Sequence, residues 1–253
     1  MTNFGLSYFR LPGNWNPLFE LLPNWRLHRD SDVWSDGVSV VEVSKASRTK
    51  PVFGFVVDDD AGSTRLISRL RKLNVSAPNV SVPSEIRVTT PSGIEVKFRK
   101  QMSSRARQRS NHPILMNHVA INVTEIAAER QWYESLFGNC AVLARKSAWE
   151  PVSNSYVRDV HLFRSPEFYI TLRETGNVSD VDHVGWMTKD SATVDQMAAI
   201  VRQLGWPIIF GPAEIDGSYL FHFTGPDRRV HDFFFPTTPL VQASQRSHEL
   251  ESA

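Results

Sequence analysis

Apolar residues alternate with others in three stretches that open alike: Phe53-Gly-Phe-Val-Val, Val119-Ala-Ile-Asn-Val and Val184-Gly-Trp-Met-Thr. That alternation is the period of a β-strand. The starts lie 66 residues (119 − 53) and 65 residues (184 − 119) apart, which marks an internal repeat. After each strand the apolar spacing lengthens to that of an amphipathic helix. The positions are Leu66, Leu70 and Leu73, then Ile126, Tyr133 and Phe137, then Val194, Met197, Val201 and Leu204. Asn74, Gly138 and Gly205 follow as stops, because these residues accept the left-handed backbone that ends a helix.

Each helix gives way to short runs of strand character. In the third unit they are CAVLARK, YVRDVHLFR and EFYITLRE; in the fourth, WPIIFG, SYLFHFTG and VHDFFFP. The second closes with EIRVTTPSGIEVKF, and a fainter first unit runs from FGLSYFRL through PLFELLP, a shortened helix, to VSVVEV. The pattern predicts an α+β fold of four βαβββ modules, two per domain. Residues 1–100 form the first domain, 101–113 a linker, 114–237 the second domain and 238–253 a polar tail.

Composition narrows the class. The chain has 253 residues, 41% hydrophobic, enough for two domains with real cores. Its net charge of +1 gives no reason to expect nucleic acid or an anionic membrane as partner. RKQMSSRARQRSNHP, residues 99–113, is basic but reads as a solvated linker. The single cysteine, Cys140, excludes an intrachain disulfide and suits a reducing compartment. No apolar run reaches the roughly 18 residues a membrane span needs, and MTNFGLSYFRLPGN lacks the pattern of a secretory signal. A cytoplasmic protein is expected.

Two of the repeated strands carry a histidine at their lip: NHVAINVTE, residues 117–125, and DHVGWMTKD, residues 182–190. A closing run, GPDRRVHDFFFP, adds adjacent His231 and Asp232. Alternation puts Val230, Asp232 and Phe234 on one face and His231 and Phe233 on the other, so only one of that pair looks inward.

NHVAINVTEIAAERQWYESLFG resembles the opening strand and helix of the vicinal oxygen chelate superfamily, which includes glyoxalases, fosfomycin-resistance proteins and extradiol dioxygenases. TPSGIEVKF and GPDRRVHDFFFP resemble its closing turn and strand. With four modules, the architecture is most similar to the type I extradiol ring-cleaving dioxygenases. The resemblance implies paired modules that curl each domain into a mixed sheet around a cavity, with the working metal in the second domain. It places the ligands at His118, His183 and Asp232, the closing-turn alignment selecting Asp232 over His231. Two neutral imidazoles and one carboxylate on one face, with open positions left, form the facial triad suited to non-haem Fe(II); Mn(II) is the alternative. The corresponding positions in the first domain are read as Val52 and Asn3, with a lone carboxylate, Glu95, so no comparable metal is expected there.

The likeness breaks in places. The family carboxylate is usually glutamate, one methylene longer than Asp232. Pro226 and Asp232 keep the family's turn spacing (232 − 226 = 6), and Asp216 falls on an acidic position. His222 stands where a tyrosine is expected, and Ala213 where a histidine is. Tyr169 and Thr171 lie near the place of another family acid/base histidine. With an ordinary pKa of about 6.5, His222 could carry protons or hydrogen-bond a substrate oxygen; Tyr169 and Asp216 complete the candidate catalytic set. The direction of His161 stays open, and His28, His112 and His248 fall in turn, linker and tail. Trp149, Tyr156, Trp186, Phe210 and Tyr219 would suit a flat substrate, though a curled sheet needs such filling anyway.

The expected function is an Fe(II)-dependent extradiol-type dioxygenase that cleaves a catecholic ring next to the diol, with a small aromatic substrate and O2 both bound to the metal. The alternative is a protein of the same fold that binds, isomerises or hydrolyses a hydrophobic small molecule, or one that only sequesters a drug. The resemblance also implies a homo-oligomer.

Overall fold

The structure is a computed structural model that describes residues 4–22, 25–28, 31–36, 39–44, 52–57, 60–73, 85–100, 113–138, 141–150, 155–165, 168–175, 180–215 and 217–238. The amino-terminal half runs β1 (Phe4–Pro12), α1 (Asn16–Leu21), β2 (Arg26–Leu27), β3 (Val33–Ser35), β4 (Val40–Ser44), β5 (Val52–Val57), α2 (Asp60–Lys72), β6 (Glu85–Thr89) and β7 (Glu95–Lys100). The second half runs β8 (Ile114–Val123), α3 (Ile126–Phe137), β9 (Ala141–Glu150), β10 (Ser155–Ser165), β11 (Phe168–Glu174), β12 (Asp180–Thr188), α4 (Ser191–Gln203), β13 (Ile208–Ile215), β14 (Ser218–Thr224) and β15 (Val230–Pro236).

The first, third and fourth units are βαβββ, as the repeat predicts. The second shows one strand fewer among the described residues, because most of the stretch between α2 and β6 lies outside them. Residues 101–112 and 239–253, the expected linker and tail, also lie outside. No described helix is long and apolar enough to cross a membrane.

Each half forms one sheet, in the orders β2-β3-β4-β1-β5-β7-β6 and β13-β14-β15-β12-β8-β11-β10-β9. The first strands of the two modules pair antiparallel at the centre of each: β1 with β5, and β8 with β12. The closing strand of each module returns parallel to its own first strand, as β11 does to β8 and β15 to β12. A parallel return needs a crossover, which the helix of each module supplies. The crossovers are well signalled. In α4, Asp190 accepts from the Thr193 N–H at 2.7 Å, satisfying one of the first turn's free donors. Val194, Met197 and Val201 form its buried stripe, and α3 buries Ile126, Tyr133 and Phe137.

One continuous apolar core joins the two halves. Helices α1 and α4 touch, as do α2 and α3. Trp15, fully buried at the head of α1, meets Trp206 at 5.3 Å, Phe223 at 6.3 Å and His231 at 4.7 Å. His231 therefore looks into the core, where its Nε2 lies 3.1 Å from both Asp227 oxygens. The helix-facing side of the second sheet is filled by Val119, Ile121, Val184, Trp186, Phe221, Phe223 and Phe233. Its opposite face carries the polar groups.

Candidate metal centre

On that opposite face a single row of residues crosses the sheet. Strand register links His222 to Asp232, Asp232 to Gly185, Gly185 to His118, and His118 to Tyr169. Residues paired across neighbouring strands share a face, so these side chains emerge together. His183 lies two positions before Gly185 on β12 and joins the same face. The Nε2 atoms of His118 and His183 are 3.2 Å apart, and His118 Nε2 lies 3.7 Å from Asp232 Oδ1. One ligand atom from each of the three falls within 4.8 Å of the others, and all three residues are buried.

Two local irregularities bring the rings there. On β12, Asp182 is an extra residue between Val181 and His183; on β8, Asn117 is an extra residue between Met116 and His118. Each candidate histidine thus follows a β-bulge, a device that re-aims side chains. The third requirement is Gly185. A Cβ placed there would meet His118 Cε1 at 1.8 Å and Nδ1 at 2.2 Å, so the imidazole lies across β12 in the space that glycine leaves. On its far side the ring stacks on Tyr169 at 4.4 Å with an 18° interplanar angle.

The surroundings differ between the two imidazoles. His183 Nδ1 donates to Asp182 Oδ2 at 2.7 Å. Asp182 is itself held by Asn122 Nδ2 at 3.1 Å and Arg173 Nη1 at 2.8 Å. Burial alone would raise the Asp182 carboxyl, but the bond from His183 and the nearby positive charges outweigh it and hold it well below the usual range. His118 Nδ1, by contrast, has no hydrogen-bond partner among the described residues.

The set suits a divalent cation. Asp232 Oδ1 is buried without a hydrogen-bond partner among the described residues, a costly arrangement unless something fills it. Burial pushes the Asp232 carboxyl up to about 8. Burial and the neighbouring His183 push the His118 imidazole well below its ordinary value, and burial lowers His183 against the pull of Asp182. The Nε2 atoms of His118 and His183 and a carboxylate oxygen of Asp232 thus lie around one point. The donor types, two imidazole nitrogens and one carboxylate, are those that Fe(II), Mn(II) and related ions accept.

The other sequence candidates fall in different places. His222 is half-buried beside Asp232, near Phe210 at 5.8 Å. Burial first, and then the neighbouring His183 and Arg173, push its imidazole down to about 3. Burial of this kind favours the uncharged imidazole over the ordinary histidine balance. Tyr169 is sandwiched between His118 and His161, the latter at 5.5 Å and 17°. Asp216 lies outside the described residues. Ala213 pairs with Leu220, and Leu220, Phe234, Met187 and Tyr169 form a separate apolar cluster on the site face. His161 is aligned with Thr171, Ala120 and His183 in the adjacent row, its Nε2 3.3 Å from the buried Asp159.

Among the aromatics, Trp186 belongs to the core on the other face, stacked on Phe233 at 5.8 Å. The Tyr219 hydroxyl donates to Asp195 at 2.8 Å on the exposed side. The Trp149 and Tyr156 side chains lie outside the described residues. Sequence reasoning missed Gly185, Asp182 and Arg173. The first two stood in the DHVG stretch itself, where an acid beside a histidine and a glycine two places on were the available signals.

The amino-terminal sheet repeats the row with other chemistry. Register links Lys97 to Gly54, Gly54 to Tyr8, and Tyr8 to Val40, matching Asp232, Gly185, His118 and Tyr169 term by term. Ser7 is again an extra residue, just before Tyr8. Sequence alone sets Val52 against His118 and Asn3 against His183; by register the counterpart of His118 is Tyr8, that of His183 is Val52, and that of Asp232 is Lys97 rather than Glu95. The bulge and the short first module shift the alignment that strand starts alone suggest. The Lys97 ammonium lies 4.6 Å from the centre of the Tyr8 ring and 3.3 Å from its hydroxyl. Tyr8 donates to Glu42, which also binds Arg10 at 2.9 and 3.1 Å. Burial lowers the Lys97 ammonium and raises the Tyr8 hydroxyl.

No protein-family profile and no curated protein matches the sequence. Solved structures do match in shape. The 2,3-dioxygenase LapB from Pseudomonas sp. KL28 superposes with a TM-score of 0.64 at 14% identity over 91% of each chain. A catechol 2,3-dioxygenase gives 0.70 at 12% identity over 94% of this chain and 90% of that one. The Mn(II)-bound glyoxalase from Novosphingobium aromaticivorans gives 0.70 at 11% identity, over 94% of this chain and 84% of that one. With its paired modules and its two histidines and aspartate on one sheet face, the chain has the fold those dioxygenases and that glyoxalase share, the vicinal oxygen chelate fold.

Proposed function

We propose that the chain is an Fe(II)-dependent extradiol-type dioxygenase that opens a catecholic ring next to its two hydroxyls, using a small aromatic diol and O2. The observation that carries this is the convergence of His118, His183 and Asp232 within 4.8 Å on one face of the second sheet. Structural neighbours that are named as catechol and other 2,3-dioxygenases support it. His118, His183 and Asp232 would hold the metal. When bound, Fe(II) would supply the redox chemistry that ring opening by O2 needs.

The remaining roles belong to the chain's own side chains. Asp232 would hold the cation as the carboxylate. Gly185 and Tyr169 clamp the His118 ring from two sides. His222, kept neutral beside Asp232, is placed to hydrogen-bond a substrate hydroxyl rather than to arrive as a ready cation. Asp216 stays a candidate on sequence grounds. Leu220, Phe234 and Met187 give a ring an apolar wall and keep water from the metal. Mn(II) remains the alternative metal, and a homo-oligomer in the cytoplasm the expected setting.

The test is metal analysis of anaerobically purified protein, followed by a screen of catechols under air with and without added Fe(II). About one Fe or Mn per chain and a yellow ring-opened product are expected. Fully loaded protein that consumes no O2 with any catechol overturns the reading. A second reading then gains: a same-fold isomerase or hydrolase. It is favoured by Ala213, which stands where the dioxygenase pattern has a histidine, by Tyr169 and Thr171 near the place of another, and by the glyoxalase neighbour.

A further inference from the structure

The structure assigns a positioning role to Asp182: through its bond to His183 Nδ1 it fixes which nitrogen of that imidazole is bare and the plane in which the ring lies. This inference rests on the metal-centre reading above. An imidazole in water exchanges its proton between both nitrogens and turns about its side-chain bonds. Here the Nδ1–H is committed to Asp182 Oδ2 at 2.7 Å, which leaves the Nε2 lone pair facing His118 and Asp232.

Asp182 is rigid for identifiable reasons. It is the extra residue of the β12 bulge, so it shares the side of His183 instead of pointing away as the next residue of a regular strand would. Its second oxygen takes Asn122 from β8, and the same oxygen that holds His183 also takes Arg173 from β11. Asn122 and Arg173 are themselves paired across those strands. Three strands therefore converge on one carboxylate, whose only described side-chain acceptor role toward the site is the His183 bond. Among the described residues His118 Nδ1 has no such partner, and its ring is located by stacking on Tyr169 and by the Gly185 gap. Histidine ligands commonly have such a partner, and losing it weakens metal binding.

The experiment compares parent, Asp182→Ala, Asp182→Asn and Asp180→Asn proteins. Asp180, which pairs with Arg229 at 2.6 Å and makes no bond to His183, controls for loss of a nearby negative charge. Co(II) affinity is measured by competition with a chromophoric chelator, and the imidazole nitrogen signals of metal-free protein report the His183 tautomer. Asp182→Ala is expected to lose about 10- to 100-fold in Co(II) affinity and to show His183 no longer confined to the Nδ1–H form. Asp182→Asn, which keeps an acceptor oxygen, recovers most of both, and Asp180→Asn matches the parent. Equal affinity in parent and Asp182→Ala, an unchanged tautomer, or an equal loss in Asp180→Asn overturns the assignment. If the parent itself binds no Co(II), the metal-centre reading fails, while the tautomer signals still decide what Asp182 does to His183.

Discussion

Gly185 lies directly opposite His118 in the β8–β12 ladder, and the side chain it lacks is the space the imidazole occupies. Replacing a hydrogen by a methyl group here is therefore not a small change. Gly185→Ala puts a carbon 1.8 Å from His118 Cε1, and the ring has to swing off the Asp232 side. Over-packing of this kind typically costs about 1–3 kcal/mol. The expected outcome is a folded but less stable protein that has lost Co(II) binding, read by circular dichroism melts and metal titration. Normal binding in this variant would show that the ring has another resting place.

His183→Ala removes one of the three proposed ligands and should abolish both bound metal and turnover. His222→Phe should behave differently, slowing turnover while bound metal stays near one per chain. The measurement is metal content beside steady-state kinetics for each variant. Loss of metal in His222→Phe would move that residue from the substrate's surroundings into the ligand set.

Trp15 ties the first half to the second through Trp206, Phe223 and His231. Its indole N–H is satisfied by the Pro12 carbonyl at 3.0 Å, so truncation removes both packing and a hydrogen bond. Trp15→Ala should lower unfolding free energy by about 3–5 kcal/mol, measured by urea denaturation. A loss below about 1 kcal/mol would mean that the core around it re-closes.

Acid should loosen the amino-terminal sheet. Burial alone would raise the Glu42 carboxyl, yet its bonds from Arg10 and Tyr8 hold it below the ordinary carboxylate value; Glu85 is lowered in the same way by Arg99 and Arg87. A carboxyl depressed in the folded state adds stability above its unfolded pKa and loses it as pH falls through the folded one. Glu42→Gln should therefore melt below the parent at pH 7, and the gap should close as pH drops below the usual carboxylate range. A constant gap across that range would remove Glu42 from the ion-pair account.

Much of this was legible from residue order. The repeat announced the modules, and the stops at Gly138 and Gly205 announced the helix ends, because strand alternation and helical periodicity are local properties. That His231 and Asp232 face opposite sides was readable from alternation, since β15 is regular, whereas the choice of Asp232 for the site came from the resemblance of the closing turn. Reading failed where strands are irregular. The extra residues Ser7, Asn117 and Asp182 change facing without changing composition, so Tyr8 and Lys97 were not recognised as the counterparts of His118 and Asp232. The environment of His222 was equally hidden, because it depends on neighbours brought from β12 and β11.

Lys97 has a consequence for the proposed binding of a metal. A covalently attached ammonium sits in one copy of the duplicated row, at the position where the other copy offers a carboxylate to an ion from solution. The first sheet thus carries a covalently held amine that no chelator can strip. Loading and unloading then concern the second sheet alone, so a chain treated with chelator should stay folded in its first half and recover fully when the ion is returned.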